Sequence, residues 1–126
     1  MAQLEPVNPT SVAGRRWVLP QTYSFAAAWG TIPLSLAEVY PIASAMTVGF
    51  RKKRGAFYPV AITGQQPDQN LYIGPKGQSL GRLLPQALRV HPFQLVCTGG
   101  DQYVLCVDLA SHCIVDTPEG EAFFEE

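Results

Sequence analysis

Residues able to carry chemistry are few in this chain and unevenly spaced. Cys97, Cys106, His112 and Cys113 supply thiols and an imidazole of the kind that ligate zinc. Zinc sites usually bring their ligands in close pairs such as Cys-x-x-Cys, and no such pair occurs here. Cys106 also lies inside an apolar run, where a thiol behaves as a small hydrophobe. The expectation is structural thiols and no metal. Cys97, His91 and Asp108 supply the types of a thiol nucleophile, a base and an orienting carboxylate. Such a unit needs nucleophile and base within hydrogen-bond reach, and no stretch of sequence enforces that. His91, directly before Pro92, reads as a structural histidine at a helix end. No catalytic residue is assigned, and a catalytic reading would have to use these three.

The second feature is basic. Arg51, Lys52, Lys53 and Arg54 follow one another, with Phe50, Phe57 and Tyr58 beside them. Four cations in a tight loop make a compact anion site. Nucleic-acid binders carry a larger basic surplus, however, and here 9 Lys+Arg face 10 Asp+Glu for a net charge of -1. A solvated loop, available for contacts, is the expectation. Gly74-Pro-Lys-Gly77 lacks the spacing and the Lys-Ser/Thr ending of a phosphate-binding loop and reads as a turn. Arg89 and Asp108 each sit against an apolar run, so a pair between them would orient a helix on a sheet or bind a ligand. Asn70 is expected to tie a loop through its amide.

The elements that must position these residues follow from periodicity and punctuation. Residues 1–14 read as an extended arm, Arg16-Trp-Val-Leu19 as a short strand and 23–29 as either element. Pro33 opens a helix over 34–45, which Pro41 should end or kink near Tyr40. Thr47-Val-Gly-Phe50 and 57–63 flank Arg51-Lys-Lys-Arg-Gly55 as a hairpin, with Pro59 at an edge or a bulge. Asn70-Leu-Tyr-Ile73 reads as a buried strand. A short helix falls at 86–90 between Pro85 and Pro92. Residues 94–97 and 102–108 form a second hairpin around Thr98-Gly-Gly-Asp101. The predicted class is α+β: antiparallel hairpins in a twisted sheet with one longer and one shorter helix. Phe25, Leu34, Phe50, Val60, Ile62, Leu71, Leu88, Phe93, Leu95, Leu105 and Val107 are the expected core.

The totals fit one domain over 15–115. With 126 residues, 47% hydrophobic and 15% charged, the chain is globular in composition, and 11 Gly with 11 Pro point to many turns. Five acidic residues and no basic ones fall in 116–126, an acidic tail that is solvated or docks on the 51–54 run or on a partner. No basic segment followed by an apolar run opens the chain, and no apolar stretch is long enough to span a bilayer. Reduced cysteines in a cytoplasmic setting follow as the expectation.

A resemblance extends along nearly the whole chain. It runs through Trp17 with Tyr23-Ser-Phe25, Ile32-Pro-Leu34 with Ala37-Glu38, and Phe57-Tyr-Pro-Val-Ala-Ile-Thr-Gly64. It continues through Gln69-Asn-Leu-Tyr-Ile73, the Leu84-Pro-x-x-Leu88-Arg89-x-x-Pro92-Phe93 stretch, Leu105-Cys-Val-Asp108 and Gly120-Glu-Ala-Phe123. These landmarks resemble the SapC family. Members commonly carry a tryptophan near positions 79–81, where this chain has Leu80, and continue past the last motif. The chain therefore reads as a compact relative or a piece of a longer one. The resemblance implies a bacterial or phage protein linked to surface-protein export, with relatives beside flavin-dependent tryptophan halogenases and outer-membrane receptors. It implies no catalytic residue and no cofactor.

The functional expectation is a non-catalytic accessory module that binds a protein or peptide partner, or a further copy of itself. Its candidate contact residues are Arg51, Lys52, Lys53, Arg54, Asn70 and Arg89. The alternatives are a small enzyme or enzyme accessory using Cys97 or His91, and an anion or nucleic-acid binder through 51–54.

Overall fold

The computed structural model describes residues 3–125; Met1, Ala2 and Glu126, the ends of the arm and of the acidic tail, lie outside the described residues. In chain order the elements are β1 (Leu4–Pro6), β2 (Arg16–Trp17), a 3-10 turn at Ser24–Ala26, β3 (Thr31–Pro33), α1 (Leu36–Ala43), β4 (Thr47–Lys53) and β5 (Ala56–Ile62). They continue with α2 (Gln86–Arg89), β6 (Phe93–Gly99), β7 (Gln102–Asp108) and β8 (Ile114–Val115). Every strand pair is antiparallel, and the class is α+β with one longer and one shorter helix. The strands fall into three small sheets, ordered β1-β7-β6, β2-β8 and β3-β5-β4. Two compact units result: Gln21–Arg89, and the N-terminal segment to Pro20 joined with the chain from Val90 onward.

In the unit Gln21–Arg89, α1 packs on β4 and β5. Its start is fixed by Glu38, whose Oε2 accepts the Ser35 N–H at 2.8 Å and the Ser35 hydroxyl at 3.0 Å. That is one half of a capping box. The other oxygen, Oε1, accepts the N–H of Gln86 at 2.8 Å, so one carboxylate anchors the starts of both helices. Ile32, Leu34, Ile42, Met46, Ala61 and Leu88 form the buried centre.

Three expectations about this unit need correction. Pro41 does not end the helix near Tyr40, because α1 runs through it to Ala43. A helix proline removes the bond to the carbonyl four residues back and crowds that turn. Here its ring faces out, while the next residue, Ile42, is buried and holds the last turn to the core. Pro59 lies in the central strand rather than at an edge or bulge. Its carbonyl accepts Leu34 N–H at 3.0 Å, so its nitrogen faces the side where β3 has already ended at Pro33. Residues 70–73 are a turn, not a buried strand: only Ile73 bridges, to Ser79, and Leu71 is exposed. The cause is Asn70, buried with its amide donating to the Ala26 carbonyl at 3.1 Å and its oxygen accepting Tyr72 N–H at 3.0 Å. Two backbone tethers on one side chain hold a bend that a strand cannot adopt.

In the other unit, β1 covers only the rungs Cys106, Val107 and Asp108 of the β6–β7 hairpin. The arm thus contributes a strand. The segment ahead of Phe124 is tied down as well: Trp17 and Glu121 form a bridge, and Arg16 donates to the Gly120 carbonyl at 3.0 Å. Phe93 packs edge-on against both Trp17 and Phe123.

Five of the expected core residues are exposed instead: Phe50, Ile62, Leu71, Leu95 and Leu105. Three of them share a cause. Each long hairpin projects past its short third strand, since β3 reaches only Val60 and β1 only Cys106. Phe50, Leu95 and Leu105 occupy those two-stranded ends.

Candidate functional site

Two places gather polar chemistry, one in each unit. The first is built on the loop after β7. Asp108 Oδ1 accepts the N–H of Ala110 at 3.0 Å and of Gln3 at 2.8 Å, and its carbonyl accepts Ser111 N–H at 3.1 Å. That turn presents Ser111, His112 and Cys113 in succession, and Val18 N–H binds the Cys113 carbonyl at 2.9 Å. Ser111 Oγ accepts the Cys113 N–H at 3.0 Å and lies 2.7 Å from His91 Nε2. His91 and His112 stack with centroids 6.2 Å apart, and Cys113 Sγ is 3.6 Å from His112 Nε2. One nitrogen or sulfur from each of His91, His112 and Cys113 falls within 4.8 Å of the others. Burial holds His91 below its ordinary pKa, against the pull of the Asp108 carboxylate, with His112 adding to the lowering. Burial likewise pushes the Cys113 thiol up, partly offset by Ser111. At neutral pH the imidazole of His91 is uncharged, able to accept a proton from a hydroxyl or to ligate a cation.

His91 and Asp108 are therefore in one neighbourhood, but Cys97 is not. It pairs with Tyr103 near the hairpin turn, whereas Asp108 lies at the opposite end of β7. It is exposed, and its thiol contacts the Gly100 carbonyl at 3.6 Å. Cys106 is buried in β7.

The second place is the β4–β5 hairpin. Lys53 pairs with Ala56, leaving Arg54 and Gly55 as the whole turn, at φ 51 and 81. Two successive positive φ values form the turn whose twist suits a hairpin. The basic run is consequently not a five-residue loop. Arg51, Lys52 and Lys53 are strand residues, alternating between faces, and β4 is an edge strand. Phe50 and Lys52 share a face with Phe57 and Pro59 by register. Phe50 is 66% and Phe57 69% exposed, and Lys52 Nζ stands 5.8 Å over the Phe57 ring. On the opposite face Arg51 donates to Thr31 Oγ1 at 3.1 Å. There it borders a cleft of about 610 Å³ lined also by Trp29, Gly30 and Gln65.

Arg89 stands exposed at the end of α2. Asn70 is engaged by backbone, as expected of a loop tie. Ser111 was not singled out by sequence, nor was the meeting of His91 with His112-Cys113. A histidine directly before a cysteine was the legible signal; the third member comes from across the sheet and leaves no spacing.

The SapC family model matches residues 7–126. No curated protein and no solved structure matches the chain. No helix among the described residues is long and apolar enough to cross a membrane.

Proposed function

We propose that this chain, which belongs to the SapC family, is a non-catalytic binding module that docks an acidic protein segment along the β4 edge. The observation that carries this reading is the exposure of Phe50 and Phe57 on one face of a hairpin whose tip and edge strand bear Arg51, Lys52, Lys53 and Arg54. Aromatic side chains left in water beside cations favour a partner that supplies apolar anchors and carboxylates together. An edge strand offers backbone donors and acceptors to an incoming strand, while its lysines oppose pairing with chains that lack negative charge. The cations thus act as a selectivity filter, and the aromatics supply the buried area. The Lys52–Phe57 contact holds the ammonium beside the ring, worth about 0.5–1 kcal/mol at an exposed site.

The test is quantitative capture from the organism's own lysate, comparing the wild-type protein with Arg54→Glu and Phe57→Ser. Both residues are exposed, so the fold should persist. A partner that is depleted roughly tenfold by either change, and released as salt is raised, supports the reading. A partner retained equally by all three proteins removes the hairpin as the contact. Recovery of nucleic acid in place of a protein assigns the cations to phosphates.

A further inference from the structure

We infer that His91, His112 and Cys113 form a zinc site with a fourth position open to water or to a donor from another molecule. Two imidazoles and a thiolate are a borderline-soft donor set of the type zinc prefers. A tetrahedral zinc, with bonds of about 2.3 Å to sulfur and about 2.0 Å to nitrogen, places a sulfur and a nitrogen ligand roughly 3.5 Å apart. The 3.6 Å between Cys113 Sγ and His112 Nε2 already has that value. The widest separation among the three donors, 4.8 Å, needs to close by about 1 Å to reach zinc geometry. His112 is the exposed member, while His91 and Cys113 are buried.

The surroundings match those of metal ligands in a second respect. Metal-bound histidines are oriented by a hydrogen bond to one ring nitrogen, which sets the tautomer and the ring plane. With Nδ1 as the metal ligand, His91 would take that contact at Nε2 from Ser111 Oγ, 2.7 Å away and itself held by Cys113 N–H. Orienting group and ligand therefore sit in the same four-residue turn. The site joins the segment before β6 to the loop after β7, so zinc would staple two stretches that the sheet brings together. This inference is independent of the hairpin and concerns the other unit.

The experiment titrates cobalt(II), then zinc, into the full chain carrying Cys97→Ser, which removes the exposed competing thiol. One equivalent of cobalt with a sulfur-to-cobalt charge-transfer band in the near ultraviolet, displaced by zinc, is the expected result. His112→Ala alters only an exposed side chain and should weaken binding at least tenfold, and Ser111→Ala by roughly tenfold as an orienting group. Absence of the band, or His112→Ala binding as tightly as its parent, overturns the site.

Discussion

Ser111 Oγ stands 2.7 Å from His91 Nε2 and accepts the Cys113 N–H at 3.0 Å, so one hydroxyl ties a buried imidazole to the loop after β7. Removing it leaves a polar atom of His91 without this partner in a place with little water. Ser111→Ala is expected to lower stability by about 1–3 kcal/mol. Urea unfolding measures this, and an unchanged midpoint would mean the contact is dispensable.

The same neighbourhood sets a pH dependence. Burial holds His91 below its ordinary value, with Asp108 opposing and His112 assisting. The unfolded chain, with histidine near 6.5, therefore binds a proton more readily than the folded one. Stability then rises with pH across this interval. In chelator-treated protein it should be complete above about pH 7, decline as pH falls below about 6.5 toward the depressed folded value, and flatten below it. His91→Gln should lack that decline. Parallel wild-type and variant curves between about pH 7 and pH 5 would contradict it.

Helix α1 carries a proline with no evident packing role. Pro41 is exposed inside Leu36–Ala43, where its missing N–H leaves a carbonyl of the preceding turn without its helical partner. Pro41→Ala should stabilise the protein by about 1–3 kcal/mol, the range set by proline's cost in a helix interior. A rise in thermal midpoint is the readout; a fall would show that the ring supports the helix in a way its exposure does not reveal.

Two leucines expected in the core separate cleanly. Leu88 is 1% exposed, and Leu95 is 65% exposed at the two-stranded end of its hairpin. Leu88→Ala should cost about 2–5 kcal/mol. Leu95→Ala should change stability by no more than about 0.5 kcal/mol. Chemical denaturation of the pair decides it, and equal costs would contradict the hairpin geometry.

Hairpins, the short helix and the α+β class were legible because each has a local cause. Arg54-Gly55 supplies the turn between two β-rich runs, and Pro85 opens the helix that ends at Arg89. Where each hairpin becomes two-stranded was not legible, since it depends on where the short strands β1 and β3 stop. Phe50 and Leu95 look like core by composition and are surface by topology. Asn70 was read correctly as a tie, yet its two backbone bonds are what bend the predicted strand at 70–73. In the candidate sites the basic run was plain, but its strand placement beside two exposed aromatics was not. His91, His112 and Cys113 were each visible, and only the pairing of β6 with β7 brings the first to the others.

The central claim is that the β4–β5 hairpin recognises an acidic segment with apolar anchors, and peptide-display selection against the purified protein tests it most directly. A random library should yield sequences in which Asp or Glu alternate with aromatic or branched apolar residues. Those peptides should lose at least tenfold in affinity for Arg54→Glu and for Phe57→Ser, and weaken as salt rises. Selection of the same peptides, with the same affinity, by the Arg54→Glu/Phe57→Ser double variant would contradict the account.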